Sequence, residues 1–197
     1  MLSIKFISEG DDTEKAISES LDVQYIWDIV ASCGDGDDGK SKNWTEAINK
    51  TMYEVAKRIN KNYLVASKLN SLRDNPEWLY DLVWYSDNKF GIDKIHLILE
   101  SEWKTPKRHR QEEYDYFYDL KYDFEKLIMG RSEHRVFIFE GDTKEEIESI
   151  FDKLIAIIKA SKIPLIDDRF MFAGWITSKE FYFDIYIHKW IMLRLIM

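Results

Sequence analysis

Apolar positions recur along this chain with two periods, and the switches between them mark the elements. From Asp12 to Cys33, Ile17, Leu21, Ile26, Ile29 and Val30 return at roughly helical spacing, and Gly34 supplies a stop. The polar stretch Gly34-Asp-Gly-Asp-Asp-Gly-Lys-Ser41 reads as a loop. A second helix is predicted from about Asn43 to Asn60, with Trp44, Ile48, Met52, Val55 and Ile59 on one face. The period then falls to two. Tyr63–Leu72, Glu77–Tyr85 and Lys94–Lys104 read as strands, the last two joined by a turn at Ser86–Gly91. Helical spacing resumes over Glu112–Met129 through Tyr114, Phe117, Leu120, Phe124, Leu127 and Ile128, and Gly130 ends it. Arg135–Phe139 is a continuous apolar run of the kind found in a sheet covered on both faces. Thr143–Ala160 is predicted as a helix, opened by a Thr143/Glu146 capping box and striped by Ile147, Ile150, Phe151, Leu154, Ile157 and Ile158. Two strands, about Arg169–Thr177 and Glu180–His188, close the chain around a Thr-Ser-Lys turn.

The predicted order is α-α-β-β-β-α-β-α-β-β. Three consecutive strands favour an antiparallel meander, and the helix at 112–129 can carry the chain across to the apolar strand at 135–139. The expected fold is therefore α/β, one mixed sheet with helices on its faces, in a single domain over 1–197.

Composition changes this picture little. In 197 residues, 45% are hydrophobic and 15% aromatic, enough for a sizeable core. Cys33 is the only cysteine, which excludes an intrachain disulfide and a cysteine-based zinc site. Met1–Gly10 lacks a charged-then-apolar leader, and no apolar run reaches the roughly 20 residues of a membrane span. A reducing, cytoplasmic setting away from membranes is the expectation. A net charge of −8 argues against a protein that coats nucleic acid indiscriminately, but leaves room for a local basic patch.

The candidate chemistry lies on the hairpin. Side chains alternate along a strand, so His96, Ile98, Glu100, Glu102 and Lys104 share a face, as do Leu79, Asp81 and Val83. A turn centred near residues 89–91 sets Asp81 opposite a residue between about 98 and 102. Asp81, Glu100, Glu102 and Lys104 are then expected to form one cluster. Carboxylates that close repel unless a cation or a proton relieves them, and hard oxygen ligands suit Mg²⁺ or Mn²⁺.

Asp81, a gap of about twenty residues, and Glu102-Trp103-Lys104 at a strand end resemble the PD-(D/E)XK nuclease superfamily. The resemblance covers about 43–140, where the order helix, three strands, helix, strand matches a restriction endonuclease-like core. The helix at 12–33 and the helix and hairpin at 143–190 are additions. The resemblance implies metal-dependent phosphodiester hydrolysis of DNA. Asp81 and Glu102 would be metal ligands, assisted by the Trp103 carbonyl, with Lys104 as catalytic lysine. Glu54, ahead of Glu46, would be an outer ligand from the first core helix. The helix after the third strand would lie along the active-site edge, and here it holds Asp123 and Lys126. No Pro precedes Asp81. Of five Asp/Glu-x-Lys triplets, starting at Asp38, Asp87, Glu102, Asp119 and Asp142, only that at Glu102 follows an Asp-bearing strand.

Plainer readings stand beside these. The hairpin acids could be a solvated face with ordinary cross-strand ion pairs, although WLYDLVWY and HLILES are apolar for an exposed edge. Lys107, Arg108 and Arg110 could hold phosphates or simply solubilise a loop. Asp35, Asp37 and Glu46 fit positions 1, 3 and 12 of an EF-hand loop, but Gly39 and Lys40 occupy positions 5 and 6, so an exposed loop is preferred. His96, His109, His134 and His188 show no metal spacing. The alternative function is a non-catalytic scaffold that binds a protein partner.

Overall fold

The computed structural model describes residues 10–21, 26, 40–67, 74–76, 78–104, 115–176 and 180–188. In chain order the elements are α1 (Asp12–Ser20), α2 (Lys40–Ile59), β1 (Leu64–Ser67), β2 (Asn75–Pro76), β3 (Leu82–Asn88), β4 (Gly91–Glu102), α3 (Tyr116–Met129), β5 (His134–Gly141), α4 (Lys144–Ala160), β6 (Arg169–Ile176) and β7 (Glu180–Ile187). They build an α/β fold around one mixed sheet, ordered β2-β1-β3-β4-β5-β6-β7. β1, β3 and β4 are the antiparallel meander; β4, β5 and β6 run parallel, and β7 returns antiparallel.

Alternation along each strand divides the core between two faces. Leu82, Trp84, Leu97, Leu99, Val136 and Ile138 pack under α1 and α2, against Ile17, Trp44, Ile48 and Met52. Val83, Ile98, Phe137, Phe139, Phe170 and Phe172 pack under α3 and α4, against Leu120, Phe124, Ile147 and Leu154. The continuous apolar run predicted for a doubly covered strand is thus β5, which is buried along nearly its whole length. Buried rings of this size each contribute on the order of 2–3 kcal/mol by leaving water.

β2 stands outside the predicted order and several boundaries differ from the periodicity, four of them for a local reason. The helix expected across 12–33 is interrupted at Leu21, where ψ turns to 40°. The apolar step from Leu21 to Ile26 is five residues, which breaks helical phase there. β3 starts at Leu82 rather than Glu77, because Asp81 bends the chain and the Trp78 ring lies on Tyr85, 4.7 Å between centroids. The hairpin turn narrows to Lys89-Phe90, followed by Gly91 at φ 125, a backbone conformation that favours glycine. α3 begins at Tyr116, with Asp115 as N-cap accepting from the Phe117 N–H at 3.0 Å.

The crossovers are fastened at their ends. Gly130 closes α3 against β4 and the segment before β3: a Cβ there would collide with Ile98 and the Tyr80 hydroxyl. Arg135, buried on β5, donates to the carbonyls of Leu127 and Gly130 at the C-terminal end of α3 and pairs with Asp168 at 3.2 Å. α3 is therefore held firmly against the β3–β4 end of the sheet. No described helix is long and apolar enough to cross a membrane.

Candidate functional site

The register of the hairpin brings two acids together. Leu82 pairs with Leu99, so Asp81 and Glu100 follow as neighbours on the α3 side, one step beyond the end of β3. Asp81 is buried, and its Oδ2 accepts from both the backbone N–H and the hydroxyl of Ser101, at 2.9 Å each. Glu100 is 2% exposed.

α3 completes the cluster from above. Phe124, Leu127 and Ile128 face the sheet, which turns Asp123 and Lys126 toward the hairpin's open end. The Lys126 ammonium lies 2.8 Å from Glu100 Oε1 and 2.9 Å from Asp123 Oδ1. The Tyr80 hydroxyl approaches the Lys126 carbonyl at 3.4 Å, which ties the segment before Asp81 to the same turn of α3.

Two carboxylates thus share the Lys126 ammonium, with Asp81 beside them in a largely dry place, and the titration behaviour follows. Burial first, and the Asp81 charge second, push the Glu100 carboxyl up to about 8 despite its ion pair. Burial alone would lower the Lys126 ammonium, but its bonds to Glu100 and Asp123 outweigh that and hold it above its ordinary value. Burial and the nearby Glu100 charge raise the Tyr80 hydroxyl.

The other residues of the predicted site are placed differently. Lys104 follows β4, but its ammonium turns to the N-terminal end of α4, 2.9 Å from Asp142 and 2.9 Å from Glu146, over the Tyr116 ring. Burial pulls the Lys104 ammonium down, and those two acids more than offset it. Glu146 is thereby diverted from a full capping box. Thr143 Oγ1 accepts from the Glu146 N–H at 3.2 Å, while the Glu146 carboxylate takes the Asp142 N–H and Lys104. Glu102 is half-buried, and its carbonyl accepts from the Tyr116 hydroxyl at 3.0 Å. Glu54 is exposed on α2, the helix that covers the opposite face. Lys107, Arg108 and Arg110 lie outside the described residues, as do the acidic loop at 34–39 and Cys33.

A second charged cluster escaped the sequence reading. Asp11 caps α1 in a complete capping box: its Oδ1 accepts from the Glu14 N–H, and Glu14 Oε2 accepts from the Asp11 N–H, both at 3.0 Å. Glu14 is fully buried and bound by the Arg169 guanidinium, whose Nε donates to Oε1 at 3.0 Å. His134 Nε2 lies 2.7 Å from Asp11 Oδ2. One ligand atom each of Asp11, Glu14 and His134 falls within 4.8 Å of the others, a spacing a metal could use. Arg169 already supplies the positive charge there, so the group reads as a pin between α1 and the starts of β5 and β6. Asp11-x-x-Glu14 before an apolar periodic run was the available sequence signal.

Comparison of the chain with family models, with curated proteins and with solved structures finds no match.

Proposed function

We propose that the chain is a metal-dependent phosphodiester hydrolase acting on DNA, with its centre at Asp81 and Glu100 and with Lys126 as the ammonium. The observation that carries this is Glu100: a carboxyl almost wholly withdrawn from water, set beside a second buried carboxylate, Asp81, and reached by the Lys126 ammonium, which also meets Asp123. Two carboxylates this close and this dry disfavour one another's charged form, and a divalent cation between them would favour it.

The donor chemistry suits such an ion, around which the carboxylates would have to draw closer, since among the described residues it is Asp11, Glu14 and His134 that hold three ligand atoms within 4.8 Å of one another. Asp81 and Glu100, with Asp123 or Glu102 from the rim, offer only carboxylate oxygens, the chemistry preferred by Mg²⁺ and Mn²⁺. Bound there, the ion would supply Lewis-acid polarisation of a phosphate and a lowered pKa for water. Asp81 keeps its orientation through the two Ser101 donors. With an ion held there, the Lys126 ammonium, which also pairs with Asp123, would be the cation placed to serve a phosphate oxygen as charge develops. The succession from α2 to β5, with its antiparallel meander and a parallel fourth strand, supports the likeness to PD-(D/E)XK nucleases. In this reading Lys104 ties β4 to α4, and the lysine that serves the acids comes from the helix.

The test is cleavage of plasmid and linear DNA with Mg²⁺ or Mn²⁺ by the wild type, Glu100→Gln and Lys126→Met. Metal-dependent cutting that falls by about 10²-fold or more in each variant is expected. Cutting that survives Glu100→Gln intact would remove the proposed centre. The scaffold reading draws on one other observation: Phe90 and Ile92 stand exposed at the tip of the β3–β4 hairpin, where a protein could seat. It gains if neither Mn²⁺ nor Mg²⁺ binds the wild type.

A further inference from the structure

We infer that Ser86, His96 and Glu133 form a second chemical site, a nucleophile, a base and an orienting acid arranged for acyl transfer from a carboxylic ester. The site lies on the α2 side of the β3–β4 hairpin, the face of the sheet opposite Asp81 and Glu100, and it does not depend on them.

A break in the ladder builds it. Trp84 pairs with Leu97 and Tyr85 with Ile95, so β4 carries His96 as an extra residue with no opposite number on β3. Strict alternation would put His96 on the α3 face with Ile98. The bulge carries its ring to the other face, where it stacks on Tyr63 with 4.2 Å between centroids. Alternation along β3 is unbroken, so Ser86 follows Leu82 and Trp84 onto that same face. The ladder sets Ser86 opposite Lys94, and it is the bulge that brings His96 to it instead. Ser86 Oγ lies 3.2 Å from His96 Nε2, and Glu133 Oε2 lies 2.7 Å from Nδ1. Glu133, between α3 and β5, is fixed beside the bulge. Its N–H donates to the Ile95 carbonyl at 3.3 Å, and its second oxygen meets the Lys94 ammonium at 2.6 Å.

The acid sets the direction of this chain of bonds. Burial alone would raise the Glu133 carboxyl, but its bonds to Lys94 and His96 outweigh that and hold it below its ordinary value. An ionised carboxylate only accepts, so Nδ1 donates to it. The neutral ring then turns the Nε2 lone pair to the Ser86 hydroxyl, which donates. Glu133 is thus a positioning residue, and Ser86 and His96 are catalytic residues. Ser86 Oγ attacks the ester carbonyl carbon and passes its proton to His96 Nε2. The bond to the leaving oxygen breaks, and that oxygen takes the proton. Water then attacks the acyl-Ser86 with His96 again as base, releasing the carboxylic acid and restoring the hydroxyl. Ser86 is half-buried, and Asp87 and Asn88 beside it are exposed, so an ester reaches the hydroxyl from the open end of the hairpin.

Covalent labelling tests the site. The full chain is treated with a fluorophosphonate in EDTA, and the adduct is followed by intact mass and located by peptide mass. A single adduct on Ser86 is expected, Oγ displacing fluoride at phosphorus while His96 takes its proton. Ser86→Ala should give none, and His96→Gln should slow labelling by about 10²-fold or more. Glu133→Gln should slow it by about tenfold or more and move the Nδ1 proton resonance upfield, which a general loss of stability does not do. Hydrolysis of p-nitrophenyl acetate should fall by about 10²-fold in Ser86→Ala. No adduct on the wild type, an adduct on another residue, or equal labelling of His96→Gln and the wild type overturns the inference. Ester hydrolysis unchanged in Ser86→Ala overturns it too. The wild-type adduct is located without any variant having to fold, and EDTA keeps the reading separate from the Asp81 and Glu100 centre.

Discussion

Two clusters of buried charge sit on this sheet, and they balance their acids differently. At the starts of β5 and β6, Asp11 and Glu14 meet Arg169 and His134, and each acid also accepts a backbone N–H at the N-terminal end of α1. The helix dipole and the guanidinium together neutralise both carboxylates. At the end of the β3–β4 hairpin, Lys126 meets Glu100 and Asp123, while Asp81 accepts from the N–H and hydroxyl of Ser101. The first arrangement needs nothing more. The second leaves a carboxyl that burial and the neighbouring Asp81 charge push up to about 8.

Removing the positive partner separates the two most sharply. Arg169→Ala leaves Glu14 fully buried without its counter-charge, and a loss of about 3–5 kcal/mol in unfolding free energy is expected in a urea titration. Adding Glu14→Gln should restore part of it. A loss below about 1 kcal/mol would mean that the pin is not the balanced element described.

Glu100→Gln should move stability the other way. The folded pKa of Glu100, about 8, lies above its ordinary 4.5, so the fold binds this proton more tightly than the unfolded chain does. That contribution is complete below about pH 4.5 and disappears as pH rises through 8. The wild type should therefore lose on the order of 2–4 kcal/mol over that window from this group alone. Glu100→Gln should be flatter and about 1–2 kcal/mol more stable than the wild type at pH 8.5. Mn²⁺ should raise the wild-type melting temperature at that pH by mass action and leave Glu100→Gln unmoved. Equal Mn²⁺ shifts in both proteins would break the distinction between the clusters.

Much of this was legible before any coordinates, and what was not has a common cause. Alternation along Lys94–Lys104 placed Glu100 and Glu102 on one face, and counting back from the turn put Asp81 within reach of Glu100. Both statements rest on period two and a hairpin, which are local. Which ammonium meets the acids is not local. Lys104 is much the nearer to Glu100 in sequence, yet Lys126 reaches it, and the choice depends on where α4 begins relative to the end of β4. Asp142 and Glu146 arrive there only through the β5–α4 turn. The pin was harder still, since His134 lies 123 residues from Asp11 and no short pattern joins them. The strand expected over Glu77–Tyr85 failed at Trp78–Asp81 because WLYD has strand composition, while its geometry is decided by Ser101 taking the Asp81 carboxylate.

The smallest expected effect bears on the lysine that the Glu-x-Lys triplet singles out. Lys104 contacts Asp142 and Glu146, which face water at the start of α4. Lys104→Met leaves those acids solvated and next to a favourable helix dipole, so no buried charge is stranded. The cost should be about 1 kcal/mol or less, and the methionine keeps most of the packing against the Tyr116 ring. The Mn²⁺-induced rise in melting temperature should equal that of the wild type, because the acids at Asp81 and Glu100 are untouched. Differential scanning calorimetry with and without Mn²⁺ decides it. Should Lys104→Met abolish the Mn²⁺ response while Lys126→Met preserves it, the roles of the two lysines are reversed and the centre shifts along β4 toward Glu102.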